Sequence, residues 1–524
     1  PRRAPPGASF GQAPLPARPL DPGMGVAVAR RTVFRSGDAE CFGRVADRVA
    51  EGNIGLLPWL PAEQDHIEAA RLRNAIATGA LITSGRHLQH GDTDQRRRPM
   101  EVFTNCATAI ASFTKFYLLL NGSGVGRAYD DALIAVDWAQ APTLLLRLSP
   151  DHADWPKDRR DLHRFGMEFG LLAWGTTLEQ FDEAAEARMR AALAEFFVTD
   201  IAQVPEYTFR HEVADSREGW GKAMEMLEAL AFQGARDRTI LFDFSLIRPR
   251  GAPIAGMQGR PASGPLSLMR AFLNIRREVI EPARAGTLTA LWEQALRVDH
   301  HLSVEVQVGG ARRAARMATK SWRDPGVLRF IRLKEEGGLW TANNSVMVDA
   351  EFWFRVREGD PSEPLTQHAR AVFDEATRCA YVNGEPGFIN GDQLEDHRTG
   401  TAREKPVHTD GRDVRSARYQ VNFAAPLMAE LSKRASESHF PVTTNPCGEI
   451  VLHVTGGYCV IGDFAPLLAC PVPLDQILPG IVDDETAGQW DARVEDSVRL
   501  GVRFLMRANL MDALYSEEVR RTNR

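Results

Sequence analysis

The sequence predicts an α/β protein with a helical N-terminal region. Strand-like apolar runs such as Thr239–Phe244 lie between stretches of helical spacing, and Gly- and Pro-rich loops punctuate the two. At 44% hydrophobic and 25% charged, the chain has the composition of a globular protein with a sizeable core. Strands that alternate with helices pair in parallel.

Composition also narrows the function. A net charge of -6, with both signs interspersed, lacks the basic footprint of a nucleic-acid binder. Clusters such as Lys157-Asp158-Arg159-Arg160 read as solvated faces. Six cysteines in 524 residues cannot form a disulfide scaffold, and they fit a reducing compartment in which a few thiols do chemistry. The sequence shows neither a run of about 18 apolar residues nor an N-terminal apolar segment, which predicts a cytoplasmic protein without membrane span or secretory signal.

Residues 1–24 form a Pro-rich arm, expected to be disordered. Residues 25–100 read as a helical region, with Phe42, Val45 and Val49, then Ile67, Ala70, Leu72 and Ile76, at helical spacing. His87 and His90 sit in a polar, glycine-bounded run, but their spacing lacks a metal-binding frame. An apolar run, Phe113–Leu120, ends at Asn121-Gly122-Ser123-Gly124-Val125-Gly126-Arg127, which is G-x-G-x-G and not the dinucleotide pattern.

Residues 135–235 read as mostly helical. Thr177-Leu178-Glu179-Gln180 has the form of a capping box opening one helix, and a second runs from about Ser216 to Phe232 with Gly234 as its stop. Two Gly/Pro-rich stretches follow, Arg248–Ile254 and Gly259–Pro265. Ser303–Val308 alternates as a strand ending at Gly309-Gly310-Ala311-Arg312-Arg313, where two arginines could steady a phosphate or a base. Another long helix is expected after Trp490.

The most informative window is Thr444-Asn445-Pro446-Cys447-Gly448-Glu449-Ile450. Pro446 and Gly448 shape a loop, and on an extended loop the amide, thiol and carboxyl of Asn445, Cys447 and Glu449 share one face. Cys459 follows in a short strand, Gly456–Ile461, and Cys106 lies far upstream in Phe103-Thr104-Asn105-Cys106. Three thiols, an amide and a carboxyl make a kit for radical and redox chemistry on a polyol.

Asn-Pro-Cys-Gly-Glu with a cysteine about a dozen residues on, and Thr-Asn-Cys upstream, resembles the catalytic chain of ribonucleotide reductases. The Pro-Cys-Gly form is similar to class II, the adenosylcobalamin-dependent enzymes. Further similar segments follow in the family's order: the glycine cluster at 122–126, Arg248–Pro265, the arginine loop at 309–313 and Trp340–Val346.

The resemblance implies a ten-stranded α/β barrel built of two five-stranded halves, with the cysteine loop threaded through it. Residues 101–524 would supply the first half plus the strand of Cys459, leaving the barrel incomplete at its C-terminus. It further implies that Cys447 carries a thiyl radical, Glu449 is the general base, Asn445 orients the ribose, and Cys106 and Cys459 reduce the 2' position. Asn105, Gly122, Gly124, Gly126, Pro446 and Gly448 would lie against the substrate. Gly309, Gly310, Arg312 and Arg313 would form the specificity loop that responds to an effector.

The implied cofactor is adenosylcobalamin, with no metal site. The implied partners are a ribonucleotide, expected as the diphosphate, a dNTP or ATP effector, a completing C-terminal segment or second subunit, a thioredoxin-like reductant and a second copy in a homodimer. Nucleic acid and membrane are not among them. Two rivals remain at this point: a class I large subunit, and a non-catalytic regulatory subunit of a split reductase.

Overall fold

A computed structural model describes residues 23–56, 62–254, 259–308, 312–335, 337–392, 419–472 and 482–509. Most of the Pro-rich arm, residues 1–22, lies outside them, and a helix already begins at Met24. The chain forms two compact units, residues 1–103 with 460–513 and residues 104–459 with 514–524.

The first unit opens with α1 (Met24–Thr32), α2 (Phe42–Ile54) and α3 (Ala62–Thr78), then β1 (Leu81–Thr83) and α4 (Gly85–His90). Val45 and Val49 of α2 are buried, as their spacing requires. In α3, Leu72 and Ile76 are buried but Ile67 is 54% exposed, so the apolar stripe is narrower than the sequence predicts. His87 is a core residue: it hydrogen-bonds Ser84 Oγ at 3.0 Å and lies against Phe103, and burial pushes its pKa down to about 3.

The second unit begins with β2 (Cys106–Ala109), α5 (Ser112–Leu120) and β3 (Gly124–Ala128). Residues 135–235 are less helical than expected. They hold β4 (Thr143–Arg147), α6 (Arg159–Glu168), α7 (Glu183–Phe196), β5 (Phe197–Val198), β6 (Phe209–Glu212) and α8 (Arg217–Phe232). With β7 (Thr239–Asp243), these strands form an all-parallel sheet in the order β5-β4-β7-β6. The box at Thr177 does form, Thr177 N–H to Gln180 Oε1 at 2.9 Å, yet α7 starts only after Asp182, whose carboxylate caps Ala185 N–H at 2.7 Å.

A two-stranded hairpin, β8 (Pro253–Ile254) with β9 (Arg260–Pro261), leads into α9 (Pro265–Ile275), α10 (Glu281–Arg284) and α11 (Leu291–Val304). The strand expected over 303–308 is shorter, because α11 continues through Val304 with Ser303 buried and bonded to Asp299 O at 2.5 Å. Only β10 (Gln307–Val308) remains, paired with β11 (Arg312–Arg313). Gly309 and Gly310, between them, lie outside the described residues.

Then come β12 (Ala315–Ser321), α12 (Val327–Arg332), β13 (Asn343–Val348), α13 (Ala350–Arg357), α14 (Pro364–Asn383) and β14 (Gly387–Asn390). After residue 418 the chain forms α15 (Ala425–Glu437), then β15 (Val442–Thr444), β16 (Val451–His453) and β17 (Gly456–Cys459). The larger sheet has the order β14-β13-β12-β3-β2-β17, five parallel strands with β17 antiparallel at the edge. The α/β class is as expected. No sheet closes into a barrel among the described residues.

The chain re-enters the first unit at β18 (Gly462–Phe464), antiparallel to β1, and at α16 (Asp484–Asn509), which packs on α2 and α3. Asn53 Nδ2 donates to Phe504 O at 3.0 Å, and the buried Glu68 pairs with Arg507 at 2.8 Å.

One helix organises the second unit. The first N–H groups of a helix have no partner within it, so a buried helix start needs an acceptor from elsewhere. From α8, buried Glu228 accepts from Ser112 N–H at 3.0 Å and Phe113 N–H at 2.8 Å, at the start of α5. One turn earlier, buried Glu225 accepts from Asn422, Phe423 and Ala424 N–H at 2.7, 2.8 and 3.2 Å, just ahead of α15. These two carboxylates hold the helix that follows Cys106 and the helix that precedes the cysteine hairpin.

Burial pushes the Glu228 carboxyl up to about 7, against the pull of Arg127 and the two N–H groups. Its folded-state value exceeds its unfolded one. Its contribution to stability is therefore complete below about pH 4.5 and is lost as the pH rises to about 7, on the order of 3 kcal/mol in all. Glu228→Gln should remove this dependence, so that in thermal melts the wild type loses ground to the variant between about pH 5 and about pH 8. A constant gap across that range would contradict the raised value.

Candidate active site

β15 and β16 pair as a hairpin, Thr444 opposite Val451, and Asn445–Ile450 is the loop between them. The loop is a compact turn and not the extended segment expected. Gly448 N–H returns to Asn445 O at 3.0 Å, which makes Asn445-Pro446-Cys447-Gly448 a β-turn with Pro446 at its second position. Gly448 then takes a φ of 81°, open to glycine at no steric cost. Ile450 N–H bonds Asn445 Oδ1 at 3.1 Å and completes the loop. Asn445 and Pro446 are buried, whereas Cys447, Gly448 and Glu449 are exposed.

The hairpin lies directly on the larger sheet. Thr108 Oγ1 donates to His453 O at 2.6 Å, and the Thr319 and Thr443 hydroxyls meet at 2.8 Å. The glycines of β3 permit this approach. A Cβ at Gly126 would stand 1.8 Å from Thr444 O, and one at Gly124 would stand 2.9 Å from Pro446 Cγ. Gly122, at φ 83°, serves the turn between α5 and β3.

The strands bring the thiols together. Cys459 stands directly opposite Cys106 in the β2–β17 ladder, and Asn105 N–H bonds Cys459 O at 2.9 Å. Opposed residues in an antiparallel ladder have Cα atoms about 4.5–5.5 Å apart, inside the limit of about 7 Å for a disulfide. Asn445 joins this pair to the turn, its Nδ2 reaching Cys106 Sγ at 3.2 Å and Glu449 Oε1 at 2.7 Å. Cys447, Glu449, Asn445, Cys106, Cys459, Asn105, Pro446, Gly124, Gly126 and Gly448 thus share one locality.

The electrostatics keep the Cys447 and Cys459 sulfurs protonated. The neighbouring Cys106, together with burial, pushes the Cys459 thiol well above the ordinary range. Burial and the negative Glu449 raise Cys447. The arrangement therefore offers S–H groups, which give up hydrogen atoms and protons, and not thiolate nucleophiles.

Arg312 and Arg313 stand apart from this cluster in sequence and pair with Val308 and Gln307. Sequence reasoning missed a cavity of about 140 Å³ lined by Asp215, Ser216, Arg217, Trp220, Arg248 and Gln307 among others. Arg248 pairs with Asp215 at 2.7 Å, and burial lowers the pKa of Arg217, which bonds Asn121 Oδ1 at 3.1 Å. The signal was present in Ser216, whose hydroxyl caps α8 through Gly219 N–H at 2.9 Å, because a capped helix start preceded by Asp215 marks a polar corner. A grouping of Glu335, Glu375 and Cys379 is held by Arg378, which reaches Glu335 and Glu375 at 2.8 and 2.7 Å, and is an ion-pair network.

Comparison with known proteins finds relatives of the chain. Residues 179–279, which include α7, α8 and β7, match the family model of the B12-dependent ribonucleotide reductase insertion domain. An adenosylcobalamin-dependent ribonucleoside-triphosphate reductase of Lactobacillus leichmannii is 26% identical over 490 residues, 85% of this chain and 55% of that protein.

The chain is similar to class II ribonucleotide reductases.

A Mycobacterium phage D29 protein, provisionally described as the same kind of enzyme, is 27% identical over 386 residues, 70% of this chain and 50% of the phage protein. The fold agrees with a crystal structure of a B12-dependent (class II) ribonucleotide reductase at a TM-score of 0.61 and 21% identity, covering 94% of this chain and 60% of that one. The chain spans about half the length of the curated relatives it matches.

Two outcomes test the site as drawn. Mild oxidation should link Cys106 to Cys459 and leave Cys447 open to alkylation, as read by peptide mass; a cross-link through Cys447 would contradict the ladder register. Gly126→Ala should dislodge the hairpin, because neither backbone can yield by the distance needed, and loss of the Cys106–Cys459 linkage on oxidation reports it.

Proposed function

We propose that the chain is the N-terminal and central part of an adenosylcobalamin-dependent reductase that converts ribonucleotides to 2'-deoxyribonucleotides. The observation that carries this reading is the opposed pair Cys106–Cys459, tied through Asn445 to the turn bearing Cys447 and Glu449. The sequence alone suggested diphosphate substrates. The relatives are described as triphosphate reductases, and we take the triphosphate as the substrate of this chain.

Adenosylcobalamin, when bound, would supply radical chemistry, and Cys447 is the residue that would receive it. The residues present fit that need, since Cys447 is exposed at the tip of its turn and is held as a thiol. The Cys447 sulfur takes hydrogen from C3' of the ribose, and Glu449 accepts the 3'-hydroxyl proton. Asn445, fixed between Cys106 and Glu449, orients the hydroxyls. The 2'-hydroxyl leaves as water with a proton from one thiol, C2' takes the hydrogen of the other as the pair closes to a disulfide, Glu449 returns its proton to the 3'-oxygen, and Cys447 returns its hydrogen to C3'. Ribonucleotide and dithiol become deoxyribonucleotide, disulfide and water.

The cavity at the start of α8 is the effector site in this reading. Gln307 lines it and is paired with Arg313 in the β10–β11 ladder, so a nucleotide seated there would bear on the strand of Arg312 and Arg313. A completing segment that closes the barrel, a thioredoxin-like reductant and a homodimer belong to the same proposal.

The test is deoxynucleotide formation by the chain joined to the missing segment of a close relative, with adenosylcobalamin and dithiothreitol. Wild type should turn over ribonucleoside triphosphates in preference to diphosphates. Cys447→Ala should abolish turnover, and Glu449→Gln should slow it by about 10²-fold or more. An assembled wild type without activity would overturn the reading.

A further inference from the structure

Resting on that reading, we propose that Asn343 is a positioning residue for Cys447. Asn343 opens β13 and is fixed there by its register with Met317 of β12. The following residue is anchored as well, Asn344 N–H to Glu385 Oε2 at 3.1 Å. From this rigid point the Asn343 Nδ2 donates to Pro446 O at 2.8 Å.

That carbonyl belongs to the central peptide of the Asn445–Gly448 turn. Rotation of the central peptide is what separates the two common turn types, and the flipped form needs a positive φ at the third position. Cys447 holds that position and is not among the non-glycine residues of positive φ. The Pro446 ring fixes one torsion, so the direction in which the Cys447 Cα–Cβ bond leaves the turn depends on this one peptide. Asn343 pins its oxygen from β13, while the Pro446 ring rests on Gly124 of β3. Two strands of the sheet thus grip the peptide that carries the exposed thiol.

Loss of the amide would leave the Gly448-to-Asn445 bond and the hairpin pairing in place, and free the thiol's direction. The experiment uses Asn343→Ala and Asn343→Asp in the complete protein. Asn343→Ala should lower kcat about tenfold with KM changed less than about twofold, the pattern of lost orientation. Asn343→Asp should be slow at neutral pH and recover as the pH falls and its carboxyl gains a proton to donate to Pro446 O, a rescue that Asn343→Ala cannot show.

A second measurement needs neither cofactor nor turnover: the pH dependence of iodoacetamide alkylation at Cys447, read by peptide mass. In Asn343→Ala its midpoint should fall toward the ordinary thiol value of about 8.5, as the sulfur leaves the neighbourhood of Glu449. An alkylation profile unchanged in Asn343→Ala overturns the proposal whatever the turnover. A wild type that forms no deoxynucleotide overturns the reductase reading instead, and the alkylation result still decides the role of Asn343.

Discussion

The site depends on one close approach of two backbones, the Thr444 carbonyl against Gly126. Any side chain on residue 126 would occupy the space of that oxygen. The hairpin can therefore sink onto β3 until Thr443 reaches Thr319 and His453 O reaches Thr108. Only at that depth does Asn445 come within hydrogen-bond distance of Cys106. A parallel sheet buried on both faces is a rigid floor, and the hairpin takes its position from that floor and not from its own short ladder.

The floor is in turn tied to the hairpin from behind. Glu225 and Glu228 lie one turn apart on α8; Glu228 supplies the acceptor that the start of α5 lacks, and Glu225 accepts from the three residues that lead into α15. Removing either carboxylate would strand buried N–H groups, so α5 and α15 are referred to a common rod. The rod's own first turn, Ser216 and Arg217, lines the cavity, and Arg217 bonds Asn121 in the turn that leads to β3. Cavity, helix and cysteine-bearing strands are thus connected through named hydrogen bonds, with a helix from within the matched insertion domain at the centre.

Much of the site was legible in the sequence, and the fold less so. The helix from Ser216 to Phe232 was readable because its ends are chemical: Ser216 caps it, and Gly234, at φ 73°, ends it. Of the parallel strands β4 to β7, β7 was legible as the apolar run Thr239–Phe244, whereas β4, β5 and β6 are short and their partners lie far off in sequence. The box at Thr177 misled because its hydrogen bonds are real but local, while Asp182 offered a better cap five residues later. Cys106, Cys447 and Cys459 could be singled out as thiols, but their convergence came from resemblance. The register of β17 on β2 is a property of the sheet.

The protonation of these thiols bears on what the site can do. A cysteine that works as a nucleophile or a metal ligand sits where positive charge lowers its pKa. Here the influences on Cys447 and Cys459 run the other way, from Glu449, from burial and from a second thiol. A sulfur kept neutral retains its hydrogen, and one-electron chemistry requires that hydrogen to be present and then removed as an atom. Glu449 consequently has two effects from one position: it adds to burial in holding Cys447 as a thiol, and it stands beside the same sulfur as an acceptor for a substrate proton. Asn445 satisfies the carboxylate from the buried side and leaves the exposed face of Glu449 for a ligand.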